Sequence, residues 1–124
     1  MSIANSQFKL ADVLFAYELS SRLKGTGVTV NCLHPGAVST DSVLRNESVP
    51  SYQKVIYLLL RSFFISPEKA AEKVVYLASC GKLKGVAGKY LANNLPVKSS
   101  PASYDKELQK KLWMLSLKLT NLKG

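Results

Sequence analysis

The chain opens with a long stretch in which apolar residues recur at helical spacing. Over residues 4–24 the apolar positions form two adjoining stripes, which predicts one long helix that is covered on more than one side. Gly25 and Gly27 are expected to end this helix, and the β-branched run 28–33 then predicts a short buried strand. A helix joined to a buried strand by a brief glycine turn is typical of half a β–α–β unit, so the pattern indicates an α/β fold.

The middle of the chain predicts two more helices. After a polar, irregular stretch, an apolar helix is predicted at 52–64. Ser66, Pro67 and Glu68 combine an N-cap, a first-turn proline and a first-turn acid, which marks the start of a further helix. Gly81 is expected to end that helix.

The last third predicts a second strand and a final helix. Residues 85–91 are expected to form a turn and a short strand, and the proline- and serine-rich stretch 96–103 is expected to be a linker. A helix is predicted at 104–122, with Trp113 on its core-facing side. The leucines expected on that side with Trp113 are Leu112, Leu115, Leu119 and Leu122.

Two strands and four helices are too little sheet for a complete doubly wound domain, whose sheets usually have ~5–6 strands. Parallel strands also need cover on both faces. The expected fold is therefore the C-terminal part of a Rossmann-type, doubly wound parallel sheet, with residues 1–124 as one partial domain. The N-terminal half of such a fold is expected to be missing.

Composition and charge narrow the function classes. A net charge of +9 comes from lysines spread along the chain, so no nucleic-acid partner is expected. Cys32 and Cys80 are expected to be reduced thiols in an intracellular protein, because the first residues show no secretory leader. The single His34 has no second histidine or CxxC nearby, so no metal site is expected, and its expected role is structural.

Several stretches together resemble a known family. They read KLADVLFA at 9–16, LKGTGVTVNCLHPG at 23–36, SPEKAAEKVVYLA at 66–78, GVAGKY at 85–90 and LW at 112–113. In this order and spacing they resemble the C-terminal half of a short-chain dehydrogenase/reductase of the retinol dehydrogenase type. The resemblance covers nearly the whole chain.

The resemblance implies a Rossmann fold that binds NAD or NADP and interconverts a lipophilic alcohol with its carbonyl compound. In this family a tyrosine donates the proton, and a lysine four residues on lowers the pKa of that tyrosine and binds the cofactor ribose. Lys9 matches that lysine and is the catalytic remnant. The residues that the resemblance assigns to the cofactor are Lys9, Pro35, Gly36, Val38 and Thr40.

The chain departs from the family pattern at the reacting group. Asn5, not tyrosine, stands four residues before Lys9, and an amide cannot exchange a proton near neutral pH. Gly25 and Gly27 begin a GxGxxG, but Val30 takes the place of the third glycine and the stretch follows a helix. Whether the chain is an enzyme is therefore open, and it is expected to be inactive alone.

Two alternatives accompany the truncated-enzyme interpretation. One is a non-catalytic interaction protein that docks on a full-length relative, or on a second copy, through residues 4–24. The other is an incomplete copy of a longer active protein.

The apolar segment 55–65 has two open interpretations. With Lys54 and Arg61 nearby, it can lie in a membrane interface, or it can cover a lipophilic substrate pocket. The expected location is cytoplasmic or peripheral at the endoplasmic reticulum membrane.

Overall fold

A computed structural model describes the backbone of residues 3–39 and 41–122, and their side chains from Ser6 onward. The described part contains helices and strands in mixed order. The α-helices are α1 (Ile3–Arg22), α2 (Ser42–Arg45), α3 (Ser51–Leu60), α4 (Pro67–Ser79) and α5 (Lys106–Thr120). The strands are β1 (Cys32–His34), β2 (Tyr90–Ala92) and β3 (Leu95–Val97), and short 3₁₀ turns lie at Arg61–Phe63, Gly81–Leu83 and Pro101–Tyr104.

The strands of the described part form one mixed sheet in the order β1-β2-β3. Strand β1 pairs in parallel with β2, with Leu33 opposite Leu91, and β2 pairs antiparallel with β3. The α/β class and the partial Rossmann-like architecture predicted from the sequence are thereby confirmed. Because β1 and β2 run in parallel, their carboxyl ends lie at the same edge of the sheet.

The interpretation of 96–103 as a linker from its first residue is wrong. Strand β3 occupies Leu95–Val97 and forms a hairpin with β2 through Asn93 and Asn94. Both asparagines have positive φ, +50° and +65°, which is the backbone of the two-residue turn that best joins twisted antiparallel strands. Pro96 fits because β3 lies at the sheet edge, where proline is tolerated.

Strand β1 is shorter than the predicted 28–33 because a side chain replaces part of the backbone ladder. The Asn31 amide nitrogen donates to the Val86 carbonyl oxygen at 2.8 Å, and its amide oxygen accepts from the Lys89 backbone N–H at 3.0 Å. The Gly88 N–H also donates to the Val30 carbonyl oxygen. Together these bonds hold the segments that precede β1 and β2 side by side before the regular strand pairing begins.

Helices α1 and α5 pack against each other beside the sheet. The rings of Phe15 and Trp113 stack at 5.3 Å, and the Arg22 guanidinium lies 4.6 Å from the centre of the Trp113 ring. Buried Glu18 accepts from Arg22 at 2.8 Å, so the cation over the tryptophan is itself paired. Leu14 and Leu91 are buried, and they anchor the apolar core of α1 and of the sheet.

The predicted core side of the last helix is only partly right. Trp113 and Leu112 are half-buried, but three of the leucines grouped with them are exposed, namely Leu115, Leu119 and Leu122. The reason is the fully buried Gln109, which faces the turn at Ser103 and turns the inward side of α5 toward Trp113 and Ser116.

Helix α4 begins as predicted. Pro67 is its first residue, and the Ser66 hydroxyl accepts a hydrogen bond from the Lys69 N–H at 3.3 Å. The helix ends at Ser79, two residues before the predicted Gly81. Among the described residues, no helix is both long enough and apolar enough to span a bilayer.

Candidate functional site

A tight turn follows β1 at the carboxyl edge of the sheet. The Gly36 N–H donates to Nδ1 of His34 at 2.9 Å, and Gly36 has a φ of +97°. Such a φ favours glycine, because a Cβ in this region meets the backbone. The imidazole thus stabilises the turn, which is the structural role predicted for His34. Pro35 is exposed beside it.

Space at Gly36 is limited by two neighbours. A Cβ at this position would lie 3.3 Å from Cδ1 of Ile65 and 3.6 Å from Nζ of Lys73. The distance of 3.3 Å is shorter than that of an ordinary carbon–carbon contact. The turn and the segment after α3 can therefore approach each other this closely only because residue 36 has no side chain.

Lys73 of α4 holds the turn from the other side. Its ammonium donates to the Pro35 carbonyl oxygen at 2.9 Å and to Oδ1 of Asn93 at 3.2 Å. One cation therefore links helix α4, the turn after β1 and the hairpin turn between β2 and β3. This contact could not be predicted from the sequence, because the partners of Lys73 lie 38 and 20 positions away along the chain.

The chain after the turn is tied to the end of α3. Val38 and Ile65 form a parallel bridge, in which the Ser39 N–H donates to the Ile65 carbonyl and the Ile65 N–H donates to the Ala37 carbonyl, both at 2.9 Å. Thr40, which the resemblance assigns to the cofactor, lies outside the described residues.

A polar cleft of about 450 Å³ opens next to this bridge. Buried Ser39 accepts a hydrogen bond from Nε of Arg61 at 3.0 Å, and Nη2 of Arg61 lies 3.5 Å from Oδ1 of Asp41. Arg45 and Pro67 complete its wall. The cleft offers two guanidinium groups and one carboxylate, which suits a polar or anionic group more than an apolar one. Sequence reasoning missed Arg61 and Arg45 as site residues.

Lys9 lies apart from this loop. Its Nζ is 3.5 Å from Oδ2 of Asp12 on the same helix, and both side chains are mostly exposed. In the described part of the chain, no hydrogen bond or ion pair joins Lys9 to Pro35, Gly36 or Val38. The side chain of Asn5 lies outside the described residues, so the assignment of Lys9 as the remnant of the catalytic motif, with Asn5 at the position of the tyrosine, stays a prediction.

A second, larger cleft of about 520 Å³ lies at the opposite ends of the strands. It is lined by the glycine turns before β1 and β2, and by Lys24, Tyr104 and Lys106. It contains none of the residues assigned to the site by the resemblance. We therefore place the candidate site at the carboxyl edge, around the turn and the polar cleft.

The chain is similar to dehydrogenases over almost its entire length. It is 39% identical over 116 residues to retinol dehydrogenase 14 from Homo sapiens, which is 93% of this chain and 34% of that protein. It is 38% identical over 122 residues to polyprenol dehydrogenase from Danio rerio, 97% of the chain and 37% of the relative. It is 37% identical over 124 residues to dehydrogenase/reductase SDR family member 13 from Bos taurus, which is 96% of this chain and 31% of that protein. No family model matches the chain.

These similarities confirm the resemblance that the sequence motifs indicated. The chain is homologous to the C-terminal part of short-chain dehydrogenases/reductases, and specifically of the retinol dehydrogenase type. It spans about a third of the length of the curated relatives that it matches.

The family implies NAD(P)-linked chemistry in general, and the residues of this chain fit such a cofactor only in part. The turn at Gly36 lies where ligands bind to α/β sheets, outside the carboxyl ends of parallel strands. The 124 residues, however, contain no GxGxxG motif to hold a pyrophosphate, and Lys9 is paired with Asp12. We derive no step through the cofactor from this arrangement.

Proposed function

We propose that this chain supplies the carboxyl-edge loop and the surrounding helices of an oxidoreductase that interconverts a lipophilic alcohol and its carbonyl compound with NADP or NAD. We further propose that the 124 residues do not catalyse hydride transfer by themselves. The observation that carries the first proposal is the turn at Pro35 and Gly36, held at the carboxyl end of β1 by Lys73 and by the bridge to Ile65. The retinol and polyprenol dehydrogenases among the relatives support a lipophilic substrate.

Two features support inactivity of the chain alone. Position 5, one helical turn before Lys9, carries an amide that cannot donate a proton to a carbonyl oxygen. The 124 residues also contain no GxGxxG motif to hold the pyrophosphate of the cofactor. As part of the same proposal, we place the protein in the cytoplasm or peripherally at the endoplasmic reticulum membrane.

The test is turnover of all-trans-retinal with NADPH and with NADH by the purified chain. We expect no reduction above a blank that contains buffer and substrate. The matched variant is Lys9→Ala, which should behave like the unmodified chain. Turnover by the unmodified chain that disappears in Lys9→Ala would contradict the proposal of inactivity.

A second candidate is a non-catalytic role through contact with a full-length relative or a second copy. Two observations favour it. Phe8 on the predicted docking helix α1 is 71% exposed, and in the described part of the chain β1 is paired on one side only, by β2. An unpaired strand edge is a template for another strand.

Light scattering after size-exclusion chromatography tests this candidate. The chain is mixed with a full-length retinol dehydrogenase, and also analysed alone across concentrations. A complex or dimer that weakens in Phe8→Ser but not in Met114→Ser, an exposed control on α5, supports the candidate. A monomer under all conditions rejects it.

A further inference from the structure

Helix α5 has a second apolar side, which the rest of the described chain leaves largely uncovered. Leu108, Leu112, Leu115 and Leu119 follow one another at intervals of four, three and four residues. This is the spacing of the a and d positions of a heptad repeat, which places the four leucines on one narrow stripe, here called the leucine seam. Exposure rises along it, from 38% at Leu108 to 52% at Leu115 and 74% at Leu119, while Leu112 is half-buried.

The leucine seam is not the side of α5 that packs on the rest of the protein. Trp113 stacks on Phe15 of α1, and the buried Gln109 amide bonds to the carbonyl oxygen of Ser103. At 3.6 residues per turn, Trp113 lies about a third of a turn away from the seam. The seam is therefore a separate apolar surface, and a contiguous apolar surface of this kind marks an interaction site.

The period of the seam indicates what covers it. Leucines at a and d positions form the narrow stripe into which a second helix inserts its own apolar side chains. Anchors at such intervals are also those of a helix that binds in an apolar groove. The positions beside the seam are polar, with Gln109 and Ser116 on one side and Lys111 and Lys118 on the other. A partner helix fits this narrow stripe better than a lipid surface, which contacts a broader apolar face.

The acidic groups close to the seam already have partners. Residues 104–122 contain four lysines and two acids. Asp105 accepts hydrogen bonds from the first backbone N–H groups of α5, and Glu107 lies 3.7 Å from Lys110. The charged side chains of the neighbouring helix α1 pair with one another, Lys9 with Asp12 and Arg22 with Glu18. The positive charge that remains on α5 is therefore not neutralised by these neighbours.

Two of the lysines stand directly beside the seam. Lys111 precedes Leu112 and Lys118 precedes Leu119, which are the flanking g positions of the heptad. Neither ammonium has a hydrogen bond or ion pair within the described part of the chain. Charges at flanking positions select the partner of a helix, so this face matches a helix with carboxylates opposite the lysines. A second copy supplies none, because the positions that flank its own seam are lysines, a glutamine and a serine.

We propose that the leucine seam binds an acidic amphipathic helix of another protein. The partner inserts apolar side chains between the four leucines and presents carboxylates to Lys111 and Lys118. The seam contains no residue of the candidate site at the carboxyl edge. The proposal therefore goes beyond the enzymatic one and needs no catalytic activity.

Fluorescence anisotropy with two synthetic peptides tests the proposal on the whole chain. Each peptide has about three heptads with leucine at a and d. One has glutamate at e and g, where like charges oppose its self-association, and the control peptide has lysine there. We expect the chain to bind the glutamate peptide about tenfold or more tightly than the lysine peptide. High salt should reduce this difference, because it screens the charges.

Reversing the two flanking lysines tests the charge selection. The double variant Lys111→Glu and Lys118→Glu should prefer the lysine peptide to the glutamate peptide, because the sign of the flanking charge is reversed. A variant that failed to fold could not show such an exchange. The double variant Lys69→Glu and Lys82→Glu changes the net charge equally at exposed positions away from α5, and it should keep the preference of the unmodified chain.

Two variants of equal exposure locate the binding surface. Leu119→Ser should weaken binding of the glutamate peptide by about tenfold or more, because a leucine is lost from the contact. Leu59→Ser is the matched control, since Leu119 is 74% exposed and Leu59 is 73% exposed among the outward-facing apolar side chains of α3. We expect Leu59→Ser to bind like the unmodified chain. Far-UV circular dichroism should show that both variants keep its helical content.

The proposal is overturned if the unmodified chain binds neither peptide or binds both equally. It is also overturned if the charge-reversed variant keeps its preference for the glutamate peptide, or if Leu119→Ser and Leu59→Ser lose binding equally. A dimer in light scattering that only Leu119→Ser dissociates would assign the seam to a second copy instead. Flotation with anionic lipid vesicles that only Leu119→Ser abolishes would assign it to a membrane.

Discussion

The ammonium of Lys73 lies 2.9 Å from the carbonyl oxygen of Pro35 and joins helix α4 to the turn that ends strand β1. The same ammonium reaches Oδ1 of Asn93 in the hairpin turn. A side chain that comes from neither strand therefore joins the two turns at the carboxyl edge of this sheet.

Replacing Lys73 by methionine should loosen this edge. The variant keeps the aliphatic stem but loses two charge-assisted hydrogen bonds, which are partly open to water. We expect the free energy of unfolding to fall by about 1 kcal/mol. Urea unfolding followed by circular dichroism measures this change.

Lys69→Met is the control for Lys73→Met. Lys69 is exposed on the same helix, and no hydrogen bond or ion pair of its ammonium occurs among the described residues. Equal losses in the two variants would show that the bonds to Pro35 and Asn93 contribute nothing.

Gly36→Ala should strain the turn in two ways. Its φ of +97° is unfavourable for any residue with a Cβ, and that Cβ would lie 3.3 Å from Ile65. We expect a loss of stability of about 1–3 kcal/mol. Gly27→Ala separates the two causes, because Gly27 has a φ of +82° and no atom near its virtual Cβ.

The expected order of destabilisation is Gly36→Ala above Gly27→Ala, with Gly81→Ala close to zero. Gly81 has neither a positive φ nor a neighbour within 4 Å of its virtual Cβ. Thermal melts of the three variants give the order. If Gly36→Ala is no worse than Gly27→Ala, the close approach to Ile65 is unimportant.

Gln109→Leu should destabilise the packing of α5 although it adds apolar surface. The fully buried Gln109 amide donates to the Ser103 carbonyl oxygen at 2.7 Å, and its oxygen accepts from Lys106 at 3.1 Å. Leucine leaves that buried carbonyl without a partner, which costs about 1–3 kcal/mol. Lys111→Leu, at an exposed position of the same helix, should leave chemical unfolding unchanged. A neutral or stabilising Gln109→Leu would refute this account.

The pKa of the Cys80 thiol should lie below that of an ordinary cysteine, and the pKa of the Cys32 thiol should lie above it. A hydrogen bond from the Tyr76 hydroxyl, together with the backbone N–H groups at Lys82 and Leu83, lowers the pKa of Cys80. Burial, reinforced by the charge of Asp12, raises the pKa of Cys32. As pH rises, Cys80 therefore becomes a thiolate first, and Cys32 stays protonated longer.

Iodoacetamide alkylation of the single-cysteine variants Cys32→Ser and Cys80→Ser measures this difference. The rate profile of Cys80 should have its midpoint at lower pH than that of Cys32. Tyr76→Phe should move the Cys80 midpoint upward, toward that of a free thiol, because the stabilising hydroxyl is gone. Identical profiles for the two cysteines would contradict the prediction.

Local signals in the sequence predicted the elements that depend on neighbouring residues. The start of α4 is an example, because Ser66 and Pro67 act within one helical turn of the backbone that they cap. The hairpin was missed for a different reason. Asn93 and Asn94 carry a turn signal, but Pro96 two residues later favoured a linker, and only the position of β3 at the sheet edge makes that proline compatible with a strand.

Only part of the candidate site could be predicted from the sequence. The turn at Pro35 and Gly36 could be predicted, because glycine and proline at a strand end act locally. The contacts from Lys73 and Arg61 could not, since they join residues that are far apart in the chain. Nor could periodicity tell which side of α3 faces the protein, because an apolar stripe is normally assigned to the core.

The two edge strands of the sheet, β1 and β3, differ in how well a further strand can pair with them. On the outer side, β3 carries Pro96, whose nitrogen has no hydrogen to offer to a further strand. On the other side, β1 presents backbone groups that no strand of the described residues pairs. Any strand added from elsewhere in a longer polypeptide, or from another molecule, is therefore directed to the β1 border, so the sheet extends in one direction only.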